Sequence, residues 1–236
     1  MTMKRISTDT FCQKAYLSVK ESIITGGLKP GALLPSKELA EQLGISSTPI
    51  REALIRLTSE GFVAYKSNKK RCVAPITVES VHEIYEVRKL LEPYAASILA
   101  RSTASDGKIK SELLELRERS DSVLFHTATA EVYGELVAID LQLSAILIEG
   151  ILGSFLAEVL NWVNDRSLRT RTFLETSRQR EGKKFVESIT QEHGRIIEAL
   201  LEGNPEQAAA ATYEHLVNAE CRVMRLTRSL KGEPHP

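Results

Sequence analysis

The run from Gly44 to Leu54, Gly-Ile-Ser-Ser-Thr-Pro-Ile-Arg-Glu-Ala-Leu, constrains this chain more than any other stretch. Gly44 closes one helical pattern, and the Ser46-Ser47-Thr48 cluster offers caps for the next. Pro49 suits the first turn, where a missing N–H costs nothing. Beyond it, Ile50, Ala53, Leu54 and Leu57 recur at i, i+3, i+4 and i+7, which predicts one buried stripe. Thr48, Arg51, Glu52 and Ile55 are left facing outward. Two helices about a tight turn, with short or forked donors opening the second, suit a helix-turn-helix whose second helix enters a DNA major groove. An ordinary pair of surface helices is the competing reading.

The flanks favour DNA. Upstream, Tyr16, Val19 and Ile23 repeat at helical spacing until Gly26-Gly27, and Leu28-Lys29-Pro30-Gly31 reads as a turn. Ser36 to Leu43 supplies the next helix, with Leu39, Ala40 and Leu43 inward. After Glu60-Gly61, Phe62–Tyr65 and Arg71–Ala74 read as short strands about a turn at Ser67–Lys70. Three helices and a two-stranded wing predict a winged helix-turn-helix domain over residues 1–75. Arg51 is the candidate for reading a guanine edge. Lys37, Lys69, Lys70 and Arg71 are candidates for phosphate contact, and Ser46, Ser47 and Thr48 can donate to phosphate or base. Pairing of Arg51 with Glu38 or Glu52, and simple capping by the serines, are the plainer alternatives.

Charge supports the division of labour. The formal net charge of zero hides +6 over residues 1–75 and −6 over residues 76–236. A positive end releases counterions from phosphates, while an acidic remainder repels the duplex. The three cysteines, Cys12, Cys72 and Cys221, are scattered without disulfide or metal spacing, which points to the cytoplasm. No secretory signal is expected at Met1-Thr2-Met3-Lys4-Arg5, which leads into polar residues. The most apolar stretch, Leu136–Leu160, is broken by Asp140, Gln142, Glu149 and Glu158, so no membrane span is expected.

After Pro75 the pattern is helical throughout, giving a mostly α chain whose second domain, residues 76–236, is an all-α bundle. Helices are expected near 78–101, 107–125, 130–148, 151–166, 171–180, 183–201 and 205–228. Ile84, Val87, Leu91 and Ala95 form the inward stripe of the first, and Pro93 is a candidate kink. Bundles of this kind place ligand and metal sites between facing helices.

Gly27-Leu28-Lys29-Pro30-Gly31, Leu39-Ala40 and Ser46–Leu54 resemble the amino-terminal domain of the GntR family of bacterial transcription regulators, over about residues 12–75. Two positions depart from the family pattern. Ser47 stands where an arginine usually reads a base edge, and Lys70 where the wing usually has glycine. The resemblance thus implies fold and DNA binding rather than an operator sequence. The later half is similar to the FCD effector domain through Val87–Pro93, the Asp140 segment, Glu192-His193 and His215-Leu216, across about residues 78–228. The family's metal ligands, an aspartate, a histidine four residues on and two later histidines, fall on Asp140, Ser144, His193 and His215. Serine does not replace imidazole toward Zn²⁺ or Ni²⁺. Asp140, His193 and His215 remain as a three-ligand set for a divalent metal, with open positions for water or an effector acid. The alternative is a locally paired Asp140 and two hydrogen-bonded core histidines. Arg88, whose planar fork suits a carboxylate, is expected to face the effector, with Ser144 and Asn218 as further contacts; a salt bridge is the other reading of Arg88. His82, His126 and His235 lie outside the pattern.

The resemblance implies a cytoplasmic homodimeric repressor on a near-palindromic double-stranded operator, released when a small organic or sugar acid enters the bundle. Movement about Ala74-Pro75-Ile76 is the expected coupling. A metal-dependent hydrolase with an accessory DNA-binding domain, and an effector-independent DNA-binding protein with a filled apolar bundle, are the competing classes.

Overall fold

The computed structural model describes residues 11–103, 106–126, 129–175 and 182–231. The chain divides into two compact units, residues 1–76 and 77–236. In the first, α1 (Phe11–Ile24), α2 (Ser36–Leu43) and α3 (Ser47–Ser59) precede β1 (Val63–Tyr65) and β2 (Arg71–Val73). Ile50, Ala53, Leu54 and Leu57 of α3 are completely buried, packed with Tyr16, Val19 and Ile23 of α1 and Phe62. Leu39 and Ala40 of α2 join this core, whereas Leu43 is exposed. Gly44 ends α2 at φ +65°, where its N–H reaches the carbonyls of Ala40 and Glu41. Gly61 turns the chain out of α3 at φ +77°. Both backbones lie in the left-handed region that side chains with a Cβ rarely adopt. The strands are antiparallel, pairing Val63 with Val73, Ala64 with Cys72 and Tyr65 with Arg71. Leu33 bridges to Cys72, which ties the segment before α2 to the wing.

The second unit is all-helical: α4 (Val78–Thr103), α5 (Gly107–Ser122), α6 (Ala130–Glu149), α7 (Phe155–Glu175), α8 (Lys183–Leu201) and α9 (Pro205–Lys231). Asp106 caps α5 by accepting from the N–H groups of Lys108 and Ile109. A short 3₁₀ turn, Val123–Phe125, follows that helix. The main core joins Leu99, Leu113, Leu116, Ile139, Ile197 and Leu200 from α4, α5, α6 and α8. α9 lies along α4 and α8. No helix among the described residues is long and apolar enough to cross a membrane.

Two expectations are corrected here. Residues 151–166 and 171 onward do not form separate helices: Ile151–Ser154 is a turn, with Gly153 at φ +82°, and one helix runs from Phe155 through Glu175. The expected residues 176–180 lie outside the described residues. Apolar periodicity lapses at Ser167–Arg171 because Ser167, Arg169, Thr170 and Arg171 are themselves buried. The same effect shifts the stripe of α4. Ile84, Val87 and Leu91 are only half-buried; the inward face is Val81, Tyr85, Arg88, Glu92, Ala95 and Leu99. Pro93 sits inside α4, which is helical on both sides of it.

Candidate functional site

In the first unit, α3 is fixed from behind. The Tyr16 hydroxyl donates to Glu60 Oε2 at 2.7 Å, and Lys20 Nζ donates to the same hydroxyl at 3.1 Å. Arg56 donates to Glu60 Oε1 at 3.0 Å and stacks over the Tyr16 ring at 3.7 Å. The opposite face is bare. Thr48, Arg51, Glu52 and Ile55 are exposed, and among the described residues Arg51 pairs with neither Glu38 nor Glu52. Ser46 occupies the N-cap backbone position, but its side chain makes no capping bond, so the hydroxyl expected to cap is free for another acceptor. Ser47 is half-buried in the first turn, and Lys37 is exposed near the start of α2.

The wing tip is a four-residue turn closed by Lys69 N–H to the Lys66 carbonyl at 2.8 Å, with Asn68 Oδ1 accepting from Lys70 N–H. Lys69, at φ +58°, occupies the left-handed position that glycine would fill without strain. The side chains of Lys69 and Lys70 are exposed. Arg71 differs from them: it is half-buried, and its guanidinium lies 5.5 Å from the centroid of the Tyr65 ring across the strand pair.

The second unit holds a small cavity of about 40 Å³ that is partly open to solvent. Tyr85, Asp140, Arg171, His193, His215 and Arg222 line it, with apolar side chains from α6, α8 and α9 completing the wall. Packing of separate helices brings these groups together: Asp140 from α6, Arg171 from α7, His193 from α8, and His215 and Arg222 from α9. One ligand atom from each of Asp140, His193 and His215 lies within 4.8 Å of the others.

A network orients these side chains. His215 Nε2 faces Asp140 Oδ1 at 3.2 Å, and Nδ1 faces Glu192 Oε2 at 2.9 Å. Glu192 also accepts two bonds from Arg222, at 2.8 and 2.7 Å, and one from Asn218 at 3.1 Å. Arg171 donates Nη1 to Asp140 Oδ2 at 2.6 Å and Nε to Ser167 Oγ at 3.0 Å. His193 is completely buried, and among the described residues neither ring nitrogen has a hydrogen-bond partner.

The electrostatics follow from this wiring. Burial pushes the His193 imidazole down to about 3, so it is neutral. Burial opposes charge on His215 as well, but hydrogen bonds with Asp140 and Glu192 outweigh it and raise its pKa. For Asp140, burial is overcome by the Arg171 charge and the His215 bond, which hold the carboxyl well below the usual range. Glu192 is brought down to about 2 against burial by bonds from Arg222 and His215.

The donor set fits a divalent cation. A carboxylate on Nδ1 of a histidine is the arrangement that fixes a ligating imidazole with Nε2 presented to metal. The unpartnered nitrogens of His193 are in the neutral form that ligation needs. Ser144, one turn after Asp140, is buried and adds no imidazole.

The three expected ligands converge; the expected effector contacts do not. Arg88, Ser144 and Asn218 are not among the cavity-lining residues. Arg88, completely buried, gives Nε and Nη2 to Glu92 at 2.5 and 3.2 Å, and Asn218 is engaged by Glu192. Sequence reading missed Arg171, Glu192 and Arg222. Arg222 lies one helical heptad after His215, a spacing legible in the sequence, whereas Arg171 falls at the start of an expected helix. Exposed His82 bonds the buried Glu220 at 2.6 Å, and His235 lies outside the described residues.

Comparison with known proteins places this architecture. The profile described as bacterial regulatory proteins, gntR family, matches residues 12–70, and the FCD domain profile matches residues 83–218. The HTH-type transcriptional regulator LutR of Bacillus subtilis is 31% identical over 84% of this chain and 94% of its own length. Among solved structures, E. coli McbR/YncC superposes with a TM-score of 0.71 at 22% identity, covering 92% of this chain and 99% of that one. The metal-free FCD domain of TM0439 gives a TM-score of 0.52 at 22% identity, over 66% of this chain and 99% of that domain.

Proposed function

Because this chain belongs to the GntR family of bacterial regulatory proteins and carries an FCD domain, we propose that it is a DNA-binding transcription regulator whose helical unit senses a small acid. The relatives are regulators, and the hydrolase alternative falls with that membership. The observation that carries the DNA assignment is the outward face of α3, where Arg51 has no ion-pair partner among the described residues and stands beside exposed Thr48 and Ile55. Arg51 reads a base edge; Lys37, Lys69 and Lys70 hold phosphates; Ser46, Ser47 and Thr48 add hydrogen bonds; Arg71 shapes the wing against Tyr65.

We place DNA binding in residues 1–75 and sensing with dimerisation in residues 76–236. A homodimer on a near-palindromic operator is supported by exposed apolar side chains on the mutually packed helices α4 and α7: Leu90, Tyr94, Phe155 and Trp162. Asp140, His193 and His215 hold a divalent ion of the Zn²⁺ or Ni²⁺ class, which when bound supplies fixed positive charge for an acidic effector. Glu192 orients His215, and Arg171 and Arg222 keep the two carboxylates ionised. The effector-independent alternative requires a filled, apolar bundle and leaves this polar-walled cavity without a reason. The effector binds the DNA-incompetent arrangement more tightly and so relieves repression. The scattered cysteines are consistent with work in the cytoplasm.

Footprinting of genomic fragments with the full chain tests the core of this reading. A protected site with twofold symmetry is expected; no protection at low ionic strength would overturn it.

A further inference from the structure

This inference rests on the DNA-binding reading of the first unit and names a base feature that α3 takes. The roll of α3 about its own axis is fixed. Ile50, Ala53, Leu54 and Leu57 are completely buried, and Arg56 is drawn back by Glu60 and by Gln13 of α1, the latter at 2.9 Å. Apart from Arg56, the side chains of α3 left exposed are Thr48, Arg51, Glu52, Ile55 and Ser59. Ser59 gives its hydroxyl to the Arg56 carbonyl at 2.8 Å, so the face open to a groove ends at Ile55. Thr48, Arg51 and Glu52 are polar and can exchange a hydrogen bond with water for one with a base. Ile55 cannot.

Ile55 is 56% exposed and, among the described residues of α3, is the one large apolar side chain outside the core. Helix stability does not account for it: a β-branched residue on a solvated helix face forms helix less readily than Ala, Glu or Lys. A lone exposed apolar side chain is ordinary on most surfaces. This one carries weight through its position, one turn beyond Arg51 on the face that meets DNA. The major groove offers a single apolar feature, the C5-methyl group of thymine, and a side chain without donors or acceptors has nothing else to recognise there. Four residues of helix advance about 6 Å, and successive base pairs lie about 3.4 Å apart. Residues one turn apart on a helix lying along the groove therefore meet pairs about two steps apart. We propose that Ile55 packs on a thymine methyl group about two base steps from the pair read by Arg51. The fork of Arg51 sets the register, and the stiff, branched side chain of Ile55 adds a contact that cytosine, which lacks the methyl group, does not make.

The test enriches binding sites from a library of random duplexes with the full wild-type chain. Each thymine of the enriched site is then replaced in turn by deoxyuridine, which lacks only the methyl group. One thymine, with its symmetry mate, is expected to lose about fourfold in affinity, the worth of a methyl group withdrawn from water. Ile55→Ala binds the thymine and deoxyuridine duplexes equally, and it keeps the urea midpoint of the wild type because Ile55 is no part of the core. Ile55→Val retains the branch and, with it, a preference for thymine. Arg51→Ala locates the pair that sets the register. The proposal is overturned if no thymine is sensitive to loss of its methyl group, or if the deoxyuridine penalty persists in Ile55→Ala. It is equally overturned if the thymine that depends on Ile55 lies more than about four base steps from the pair at which Arg51→Ala relaxes preference. Failure of the DNA-binding reading looks different: no duplex is enriched even at low ionic strength, and the inference falls with it. An enriched site indifferent to Ile55 removes only the thymine contact.

Discussion

Arg51, Lys69 and Lys70 in the first unit stand in solvent, whereas Arg88, Arg171 and Arg222 in the second are tucked against carboxylates inside a helical bundle. The contrast follows from the ligand each surface must meet. A duplex is a long polyanion, and cations gain from it by displacing its counterions, so they are best left free and mobile. A small acid offers one or two oxygens, and recognising it requires donors whose positions are fixed before it arrives. Fixing a buried cation means pairing it, and only the unpaired edge that remains is available to the ligand.

The contrast can be broken by experiment. The largest effect is expected at Glu192, 3% exposed and bonded to Arg222, Asn218 and His215. Glu192→Ala strands buried charge and should cost about 3–5 kcal/mol in urea unfolding; a loss under about 1 kcal/mol would mean the bundle does not depend on pairing. Next is Arg51→Ala, which should remove about 1–3 kcal/mol of discrimination between operator and scrambled DNA while leaving the urea midpoint unchanged. If stability fell instead, Arg51 would belong with the paired set. Gly150→Ala sharpens the same division from the packing side. A Cβ there runs into the Leu99 side chain, so unfolding should show a loss of about 1–3 kcal/mol with operator discrimination intact. The smallest effect is at the wing: Lys70→Ala should weaken all DNA sequences alike and lower the salt slope of log K by about 0.9. A sequence-dependent loss would make Lys70 a reader of bases.

The two units also differ in how far their residues announce them. The winged helix is legible because its inward positions are apolar and its turns carry glycine: Ile50, Ala53, Leu54 and Leu57 are all fully buried, and Gly44 and Gly61 adopt positive φ. In the bundle, apolar periodicity misleads wherever the candidate site lies, since Arg88, Glu92, Ser167, Arg171, Glu192 and His193 occupy inward positions. A reader of hydrophobic stripes rotates α4 by one position and breaks α7 at the very residues that line or brace the cavity. Asp140, His193 and His215 were reachable through a family pattern, but the partners that set their protonation were not, because a pairing such as Glu192 with Arg222 joins two helices 30 residues apart. The chemistry of Arg88 suits an acid, yet Glu92, one turn on, accepts from its Nε and Nη2.

Pro93 gives α4 a mechanical character of its own. It has no N–H for the Lys89 carbonyl, so the ladder of that helix is one rung short immediately after the Arg88–Glu92 pair. A beam missing a rung flexes there more cheaply than elsewhere. The stiff arm from Glu92 back to Val78 is about 21 Å long at 1.5 Å per residue, so a tilt of a few degrees at the weak rung displaces its far tip by an ångström or more.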